Sequence, residues 1–220
     1  MHRPAARAIV AAFAGATLLL TACAPTSGNS GSGNSASAGD GIVEVVASTS
    51  VYGDIVSSIG ADKVRVTSII ARTSQDPHSY EATTQDKLAV SKADLVVENG
   101  GGYDDFLPKL AEDTGLDHGK VLNAVELSGL APEEEAGPSA TADADGHGHA
   151  PAGFNEHVWN SLPSMARLAD AVSAKLGERE PSSAETFRSN AAAFKESLGG
   201  LEARLAGIKA SAGAAPVAVT

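Results

Sequence analysis

The 220-residue sequence contains a single cysteine, Cys23, so it cannot form an intrachain disulfide. A zinc site built on several thiolates is excluded on the same ground, and any metal ligands must be histidines and carboxylates. Aromatic residues are also few, at 4% of the sequence, whereas hydrophobic residues make up 43%. The core must therefore be built mainly from alanine, valine and leucine, in one large domain or two small ones.

Positive charge is scarce as well. The sequence has 16 lysines and arginines against 27 acidic residues, for a net charge of −11. A chain this acidic makes a poor partner for nucleic acid, whose phosphates bind clusters of lysine and arginine. Its negative surface would instead concentrate cations around the protein.

The N-terminal segment, residues 1–22, has the pattern of a secretory signal peptide. Two arginines provide its charged region, and Ala8 to Leu20 form an apolar run that is too short to span a bilayer stably. The sequence then reads Leu20-Thr21-Ala22-Cys23, which resembles the lipobox of bacterial lipoproteins and implies that Cys23 is lipidated. An ordinary cleaved signal followed by an incidental cysteine is the alternative. We therefore expect a secreted protein, anchored by its lipid to the outer face of the cell membrane.

The segments that follow predict a tether and a folded α/β body. Residues 23–41 are rich in glycine, serine and asparagine and have too little apolar bulk to fold, so we expect a disordered tether. Residues 42–160 contain strand and helix patterns in the order β-α-β-α-β-α-β, followed by an acidic, histidine-bearing loop of low complexity over 131–153. That order is typical of a mostly parallel sheet with helices on both faces, in which ligands bind outside the carboxyl ends of the strands.

One long helical pattern dominates the C-terminal part of the sequence. After a helix and connection over 161–181, residues 182–210 place apolar side chains alternately three and four positions apart, as on one face of a helix about 40 Å long. Ser182 and Glu185 fit a capping box at its start. The stripe, which we expect in the core, consists of Phe187, Ala191, Phe194, Leu198, Leu201, Leu205 and Ile208. Residues 215–220 have the pattern of the first strand of a further, truncated lobe.

Two histidine motifs are the candidates for chemistry. His78 lies in Gln75-Asp76-Pro77-His78-Ser79-Tyr80-Glu81, where the proline stiffens the backbone before the histidine. His157 lies in Asn155-Glu156-His157-Val158-Trp159, at the mouth of a predicted helix. The loop with His78 follows the second predicted strand, which places it at the carboxyl edge of the sheet. Two neutral imidazoles suit Zn²⁺ or Mn²⁺, and the remaining ligands decide between these metals.

With these motifs the chain resembles the substrate-binding lipoproteins of bacterial zinc and manganese ABC importers. The resemblance covers residues 42–220 in one register. The matching elements are Ser48-Thr49-Ser50 with Ile55, Asp76 to Glu81, Ala93 to Val97 followed by Asn99-Gly100, the acidic loop, His157-Val158-Trp159, and Asn190 to Phe194. The resemblance implies a two-lobed α/β metal-binding solute-binding protein, with a parallel-sheet N-terminal lobe, a long connecting helix and a C-terminal lobe that is only begun.

The resemblance also implies a metal site. His78 and His157 match two of the family's metal ligands, and the third and fourth ligands would lie in the second lobe, beyond Thr220. Many members have Asp-Pro before the second histidine, whereas this chain has Asn155-Glu156, as in one branch of the family. That difference leaves both Zn²⁺ and Mn²⁺ open.

Further residues are expected near this site. His147 and His149 match a loop that is longer and richer in histidine in zinc-specific members, so they are candidates for an accessory, low-affinity metal-binding pair, or else residues of a solvated loop. Tyr80 and Trp159 are expected to pack beside the imidazoles and orient them. Glu156 is expected with them, or else as a surface carboxylate.

The function implied is that of an extracytoplasmic receptor, a monomer that captures Zn²⁺, or alternatively Mn²⁺, and delivers it to an ABC permease. A surface adhesin or structural lipoprotein of the same fold is the first alternative. A metal-dependent hydrolase is disfavoured, because the sequence has neither a His-Glu-x-x-His helix nor a nucleophile motif. A receptor also saturates the ligand shell of its metal, whereas a catalyst leaves a position open for water. We therefore expect no enzymatic activity and no nucleic-acid partner.

Overall fold

A computed structural model describes residues 41–131 and 154–212 of the chain. Within these ranges strands and helices alternate along the first part of the chain, and two long helices follow. The strands are β1 (Val43–Thr49), β2 (Val64–Ile70), β3 (Leu95–Glu98) and β4 (Val121–Asn123). The helices are α1 (Ser50–Gly60), α2 (Thr84–Ser91), α3 (Phe106–Thr114), α4 (Ala124–Ser128), α5 (Leu162–Arg179) and α6 (Ala184–Ala212). The predicted β-α-β-α-β-α-β order is confirmed, and α4 is an addition to it.

The strands form one parallel sheet in the order β2-β1-β3-β4. Val45 of β1 pairs with Val66 of β2 on one side and with Leu95 of β3 on the other. Val97 of β3 pairs in turn with Leu122 of β4. Because all the strands run in the same direction, the loops that follow them meet at one edge of the sheet.

Alternate residues of β1 face two separate cores, as the two-residue period of a strand requires. Val45 belongs to the core formed with α1, α5 and α6, which contains the fully buried Leu168 and Phe187. Val46 belongs to the core formed with α2 and α3, which contains the fully buried Leu107. Burying one such side chain contributes about 1.5–3 kcal/mol, so both faces of the sheet help to hold the strand edges in place.

The start of α6 differs from the prediction. Ser182 lies in a 3₁₀ turn, Pro181–Ser183, and its hydroxyl donates to the carboxylate of Glu180. Glu185 forms an ion pair with Arg188 at 2.6 Å, one turn further along the helix. The predicted capping box is therefore wrong, because the helix begins at Ala184, after the 3₁₀ turn, and the two side chains bond to Glu180 and Arg188 instead.

The apolar stripe of α6 is buried along its first half and exposed along its second. The buried members are Phe187, Ala191 and Leu198, and Phe194 is half-buried against the same core. The exposed members are Leu201, Leu205 and Ile208, at 42%, 57% and 60% of their full accessibility. The expectation of a core position along the whole stripe is thus wrong for these three, because no described residue covers them. The helix itself continues through Gly199 and Gly200 without a break.

Several predicted features lie outside the described residues. They are the signal over 1–22, the tether up to residue 40, most of the acidic loop, and the strand over 215–220. Cys23, His147 and His149 belong to these segments, and their roles stay predictions. Among the described helices, none combines the length and the apolar character that crossing a membrane requires.

Candidate metal centre

His78 lies in a short 3₁₀ turn, Pro77–Ser79, in the loop between β2 and α2. Asp76 precedes the turn with an extended backbone, as expected before proline. One oxygen of its carboxylate accepts the backbone N–H of His78 at 3.1 Å, and the other accepts the hydroxyl of Ser79 at 3.2 Å. Proline and aspartate together fix the backbone that carries the imidazole, so ligand binding there requires little further ordering.

His157 is held by Asn155, two positions earlier in the chain. Asn155 Oδ1 accepts the backbone N–H of His157 at 3.1 Å and lies 2.7 Å from the ring Nδ1. An amide oxygen can only accept a hydrogen bond, so the ring Nδ1 carries the proton in its contact with Asn155 Oδ1. The neutral ring then has its lone pair on Nε2, which is the form that a metal ligand needs.

The two histidines meet at Glu156. Its Oε1 lies 3.6 Å from His78 Nε2 and 3.8 Å from His157 Nδ1, the nitrogen that also faces Asn155. The contact with His157 therefore leaves its Nε2 free to bind a metal. The Glu156 side chain is 22% exposed, whereas the two imidazole side chains are about half exposed. Two imidazoles and a carboxylate are donors that Zn²⁺ and Mn²⁺ accept. The described part of the chain holds no group of three or more His, Cys, Asp or Glu residues in metal-binding geometry.

Two aromatic side chains complete this cluster. Tyr103 contacts both imidazoles, with ring centroids 5.1 Å from His78 and 5.8 Å from His157. Trp159 lies 4.6 Å from the Tyr103 ring and 4.9 Å from the His157 ring. Trp159 was expected here, whereas sequence reasoning missed Tyr103. Its position after a run of three glycines at the carboxyl end of β3 is the signal that could have found it.

Tyr80 is expected beside the histidines, but its side chain contacts α2 and α3. Its ring packs 4.9 Å from that of Phe106, and its hydroxyl donates to Asp86 Oδ2 at 2.9 Å. Asp86 also completes a capping box with Thr83 at the start of α2. These contacts anchor the end of the His78 loop, and a direct role of Tyr80 in orienting an imidazole stays a prediction.

A buried network below the cluster ties its loops to the sheet. Asn99, which follows β3, is fully buried. Its amide donates to the carbonyl oxygens of Gly100 and Glu156 at 2.8 and 3.0 Å, and its Oδ1 accepts the hydroxyl of Tyr52. Asp104 accepts the backbone N–H groups of Asn99 and Gly100 at 2.7 and 2.8 Å. The network therefore joins the loop after β3 to the segment that carries the second histidine.

Burial controls the protonation of Tyr52 and Asp104 in this network and of Glu98, the last residue of β3, beside it. Desolvation, assisted by the neighbouring Asp104, raises the pKa of Glu98 to about 8. Burial also raises the pKa of Asp104, against the opposing effect of the backbone N–H groups that it accepts. The pKa of Tyr52 is raised by burial and by Asp104, so its phenol stays a hydrogen-bond donor. Because Glu98 is mostly protonated at neutral pH, the network below the cluster carries less negative charge than its composition implies.

A parallel α/β lobe that gathers two imidazoles and a carboxylate at the carboxyl edge of its sheet is the architecture of a metal-binding solute-binding protein. The family comparison agrees with this class. The chain belongs to the family of the periplasmic zinc-uptake complex component A, ZnuA, whose family model matches residues 45–220.

Curated relatives of the chain include two manganese-binding lipoproteins named MntA. The protein from Bacillus subtilis (strain 168) is 32% identical over 194 residues, which cover 86% of this chain and 55% of that protein. The protein from Halalkalibacterium halodurans is 30% identical over 164 residues, which cover 74% of this chain and 48% of that protein. The chain therefore spans about half the length of the curated relatives that it matches.

Solved structures share the fold. A zinc-bound ZnuA deletion mutant matches with a TM-score of 0.60 and 26% identity, over 76% of this chain and 58% of that one. A manganese-bound mutant of a periplasmic metal binding protein from Candidatus Liberibacter asiaticus matches with a TM-score of 0.53 and 28% identity, over 70% of this chain and 51% of that one. The predicted fold, a parallel-sheet lobe followed by a long helix, is confirmed. The second lobe stays an expectation.

Proposed function

We propose that this chain is part of an extracytoplasmic receptor that captures Zn²⁺, or alternatively Mn²⁺, and delivers it to an ABC permease without catalysing a reaction. The observation that carries the proposal is the approach of His78 and His157, from two distant loops, to one oxygen of Glu156. Membership of the zinc-uptake family supports the transport role.

The exposure of the two imidazoles suits an ion that is cargo rather than a permanent cofactor. His78 and His157 are 46% and 45% exposed, so an ion bound to them has one side open to solution. By the family resemblance, the remaining ligands would come from a second lobe. An ion held between two lobes is released when they separate, as delivery to a permease requires.

The choice between the two metals depends on the donors. Imidazole suits both ions, whereas each added carboxylate favours the harder Mn²⁺. Glu156 adds one carboxylate in this chain, and the Bacillus subtilis relative is named a manganese-binding lipoprotein. The ZnuA deletion mutant was solved with zinc. We keep Zn²⁺ as the first cargo, with Mn²⁺ as the alternative that the same experiment tests.

The proposed location follows from the N-terminal segment. The protein is a monomer held at the outer face of the membrane by a lipid on Cys23, where it meets the permease. The two MntA relatives are named lipoproteins, which supports this location. A Cys23→Ser variant should move from the detergent phase to the aqueous phase in a detergent partition of cells.

Calorimetric titration of the metal-free, untagged full-length protein with ZnCl₂ and with MnCl₂ tests the proposal. The expected result is one-to-one binding of one of these ions, with no turnover of ester or phosphoester substrates. A folded protein that binds neither ion would overturn the receptor and favour the adhesin or structural lipoprotein. Turnover that depends on the bound metal would favour the hydrolase.

A further inference from the structure

Tyr103 stands between the two candidate metal ligands. Its ring meets that of His78 at an interplanar angle of 82° and that of His157 at 66°, both edge-to-face. Such arrangements are the favoured geometry of ring pairs. Trp159 packs on the same tyrosine at 4.6 Å. One phenol ring therefore contacts both imidazoles, which have no ring contact with each other among the described residues.

Three consecutive glycines set the position of Tyr103. Gly100, Gly101 and Gly102 have φ values of +78°, +66° and +87°, a region that is strained for residues with a side chain. At Gly100 a Cβ would also lie 2.2 Å from Asn123 Nδ2, whereas at Gly102 the space is open. The backbone path to the tyrosine thus depends on glycine for its conformation, and at Gly100 for its packing as well.

Asp104, on the other side of the tyrosine, anchors the same loop. It is 1% exposed, and its carboxylate accepts the backbone N–H groups of Asn99 and Gly100. The backbone N–H of Tyr103 itself donates to the carbonyl oxygen of Gly100 at 3.2 Å. These hydrogen bonds fix the backbone on both sides of Tyr103, which gives its ring a rigid support.

We propose that Tyr103 is a positioning residue of the metal site, whose ring orients His78 and His157 for the incoming ion without binding the ion itself. This inference rests on the proposed function, because it concerns the same two ligands. Half-exposed imidazoles would otherwise sample several rotamers. A ring in contact with both restricts that freedom beforehand, so less side-chain entropy is lost when both coordinate one ion.

Two substitutions of Tyr103 separate the ring from the hydroxyl. In the full-length protein, Tyr103→Phe keeps the ring and should bind ZnCl₂ and MnCl₂ like the wild type. Tyr103→Leu removes the ring and should weaken binding about tenfold, as loss of a group that orients a ligand does. Phe194→Leu, which removes a ring from α6 away from the cluster, is the matched control and should bind like the wild type.

An NMR measurement on the metal-free protein gives a readout that a general loss of stability would not produce. The circulating electrons of the Tyr103 ring shift the proton signals of the imidazoles that it contacts. In Tyr103→Leu these signals should therefore move for both His78 and His157. The signals of His118, in the 3₁₀ segment His118–Lys120 before β4, should stay where they are.

The outcomes distinguish this inference from the proposed function. If the wild type binds neither ion, the proposed function fails and the inference falls with it. If the wild type binds and Tyr103→Leu binds equally well, the inference alone is overturned. Equal losses in Tyr103→Phe and Tyr103→Leu would also overturn it, because the hydroxyl would then be the active group. Should Tyr103→Leu not fold, Tyr103→Met, with a flexible side chain that fills irregular gaps, takes its place in the same comparisons.

Discussion

The side-chain amide of Asn99 donates to the backbone carbonyl oxygen of Glu156 at 3.0 Å, and it thereby joins the end of β3 to the segment that carries His157. The same side chain accepts a hydrogen bond from the hydroxyl of Tyr52 in α1, and Asn99 and Tyr52 are both fully buried. A buried polar group left without a partner costs about 1–3 kcal/mol, more than the net gain from a typical hydrogen bond. The position of the second histidine therefore depends on a residue whose side chain contacts neither imidazole.

Replacing Asn99 with Ala should lower both stability and metal affinity. The Tyr52 hydroxyl and the Glu156 carbonyl lose their partner, so we expect the free energy of unfolding to fall by about 2–4 kcal/mol. Metal affinity should fall about tenfold, because the segment that carries the second imidazole loses its attachment to the sheet. Urea denaturation and calorimetric titration with ZnCl₂ and MnCl₂ measure the two effects.

Asn190→Ala is the matched control for this prediction. Its side-chain amide also donates to a backbone carbonyl, that of Ile59, at 2.9 Å, but it lies on α6 away from the cluster. This variant should lose stability and keep its metal affinity. An Asn99→Ala protein that binds metal as well as Asn190→Ala does would show that the hydrogen bond to Glu156 does not position the site.

The sheet was predictable from sequence because its signals are local. The apolar runs in β1 and β3 and the helical periods between them define each element within a few residues of its observed bounds. The exposed end of α6 was not predictable in this way. Periodicity identifies the apolar face of a helix, but whether another part of the chain covers that face is not a local property.

The residues of the candidate site also differ in whether local sequence could predict them. His78 and His157 lie in motifs whose local chemistry is visible in the sequence, with a proline or an asparagine beside each ligand. Tyr103 and Asn99 contact residues far away in the chain. Such contacts do not follow from local spacing, although Asn99-Gly100 is among the motifs that match the family. Only the run of glycines before Tyr103 points to a loop of fixed shape.

Removing either candidate ligand should weaken metal binding far more than removing the acidic loop. His78→Ala and His157→Ala should each lower the affinity for Zn²⁺ or Mn²⁺ more than about tenfold, because a lost donor atom is not replaced. Deletion of residues 143–149, with both loop histidines, should change the affinity little. His118→Ala, which removes a histidine outside the cluster, is the point-mutant control in the same titrations. Equal losses from the ligand substitutions and the deletion would overturn the site assignment.

Glu98→Gln should flatten the pH dependence of stability. The Glu98 side chain is buried, its Oε1 accepts the Asn123 amide at 2.9 Å, and its Oε2 has no hydrogen-bond partner among the described residues. The carboxyl groups of Asp104, Glu126 and Asp105 add to the effect of burial, which raises the pKa from 4.5 to about 8. Between these two pH values the folded state therefore keeps a proton on Glu98 that the unfolded state has lost.

The sign of the effect follows from that difference. The contribution of Glu98 to the free energy of unfolding is fully present below pH 4.5 and is lost as the pH rises to about 8. The total loss is a few kcal/mol, at about 1.4 kcal/mol for each pH unit between the two pKa values. Glutamine cannot ionise, so urea denaturation between about pH 5 and 9 should show a shallower decline for Glu98→Gln than for the wild type. Glu185→Gln, at an exposed ion pair, should keep the wild-type slope, and parallel profiles for all three proteins would contradict the buried, protonated state of Glu98.

The two halves of α6 allow one substitution to be compared at two depths on the same helix. Leu198 is 8% exposed and Leu205 is 57% exposed. In the 220-residue chain, Leu198→Ala should lower the free energy of unfolding by about 2–4 kcal/mol, because it leaves a cavity in the core. Leu205→Ala should change it by no more than about 0.5 kcal/mol, as expected at the surface. Helix propensity changes equally at both positions, so the difference between the two urea midpoints reports burial alone. Equal losses would mean that the stripe is covered along its whole length, as its sequence period predicts, and that residues outside the described ranges provide the cover.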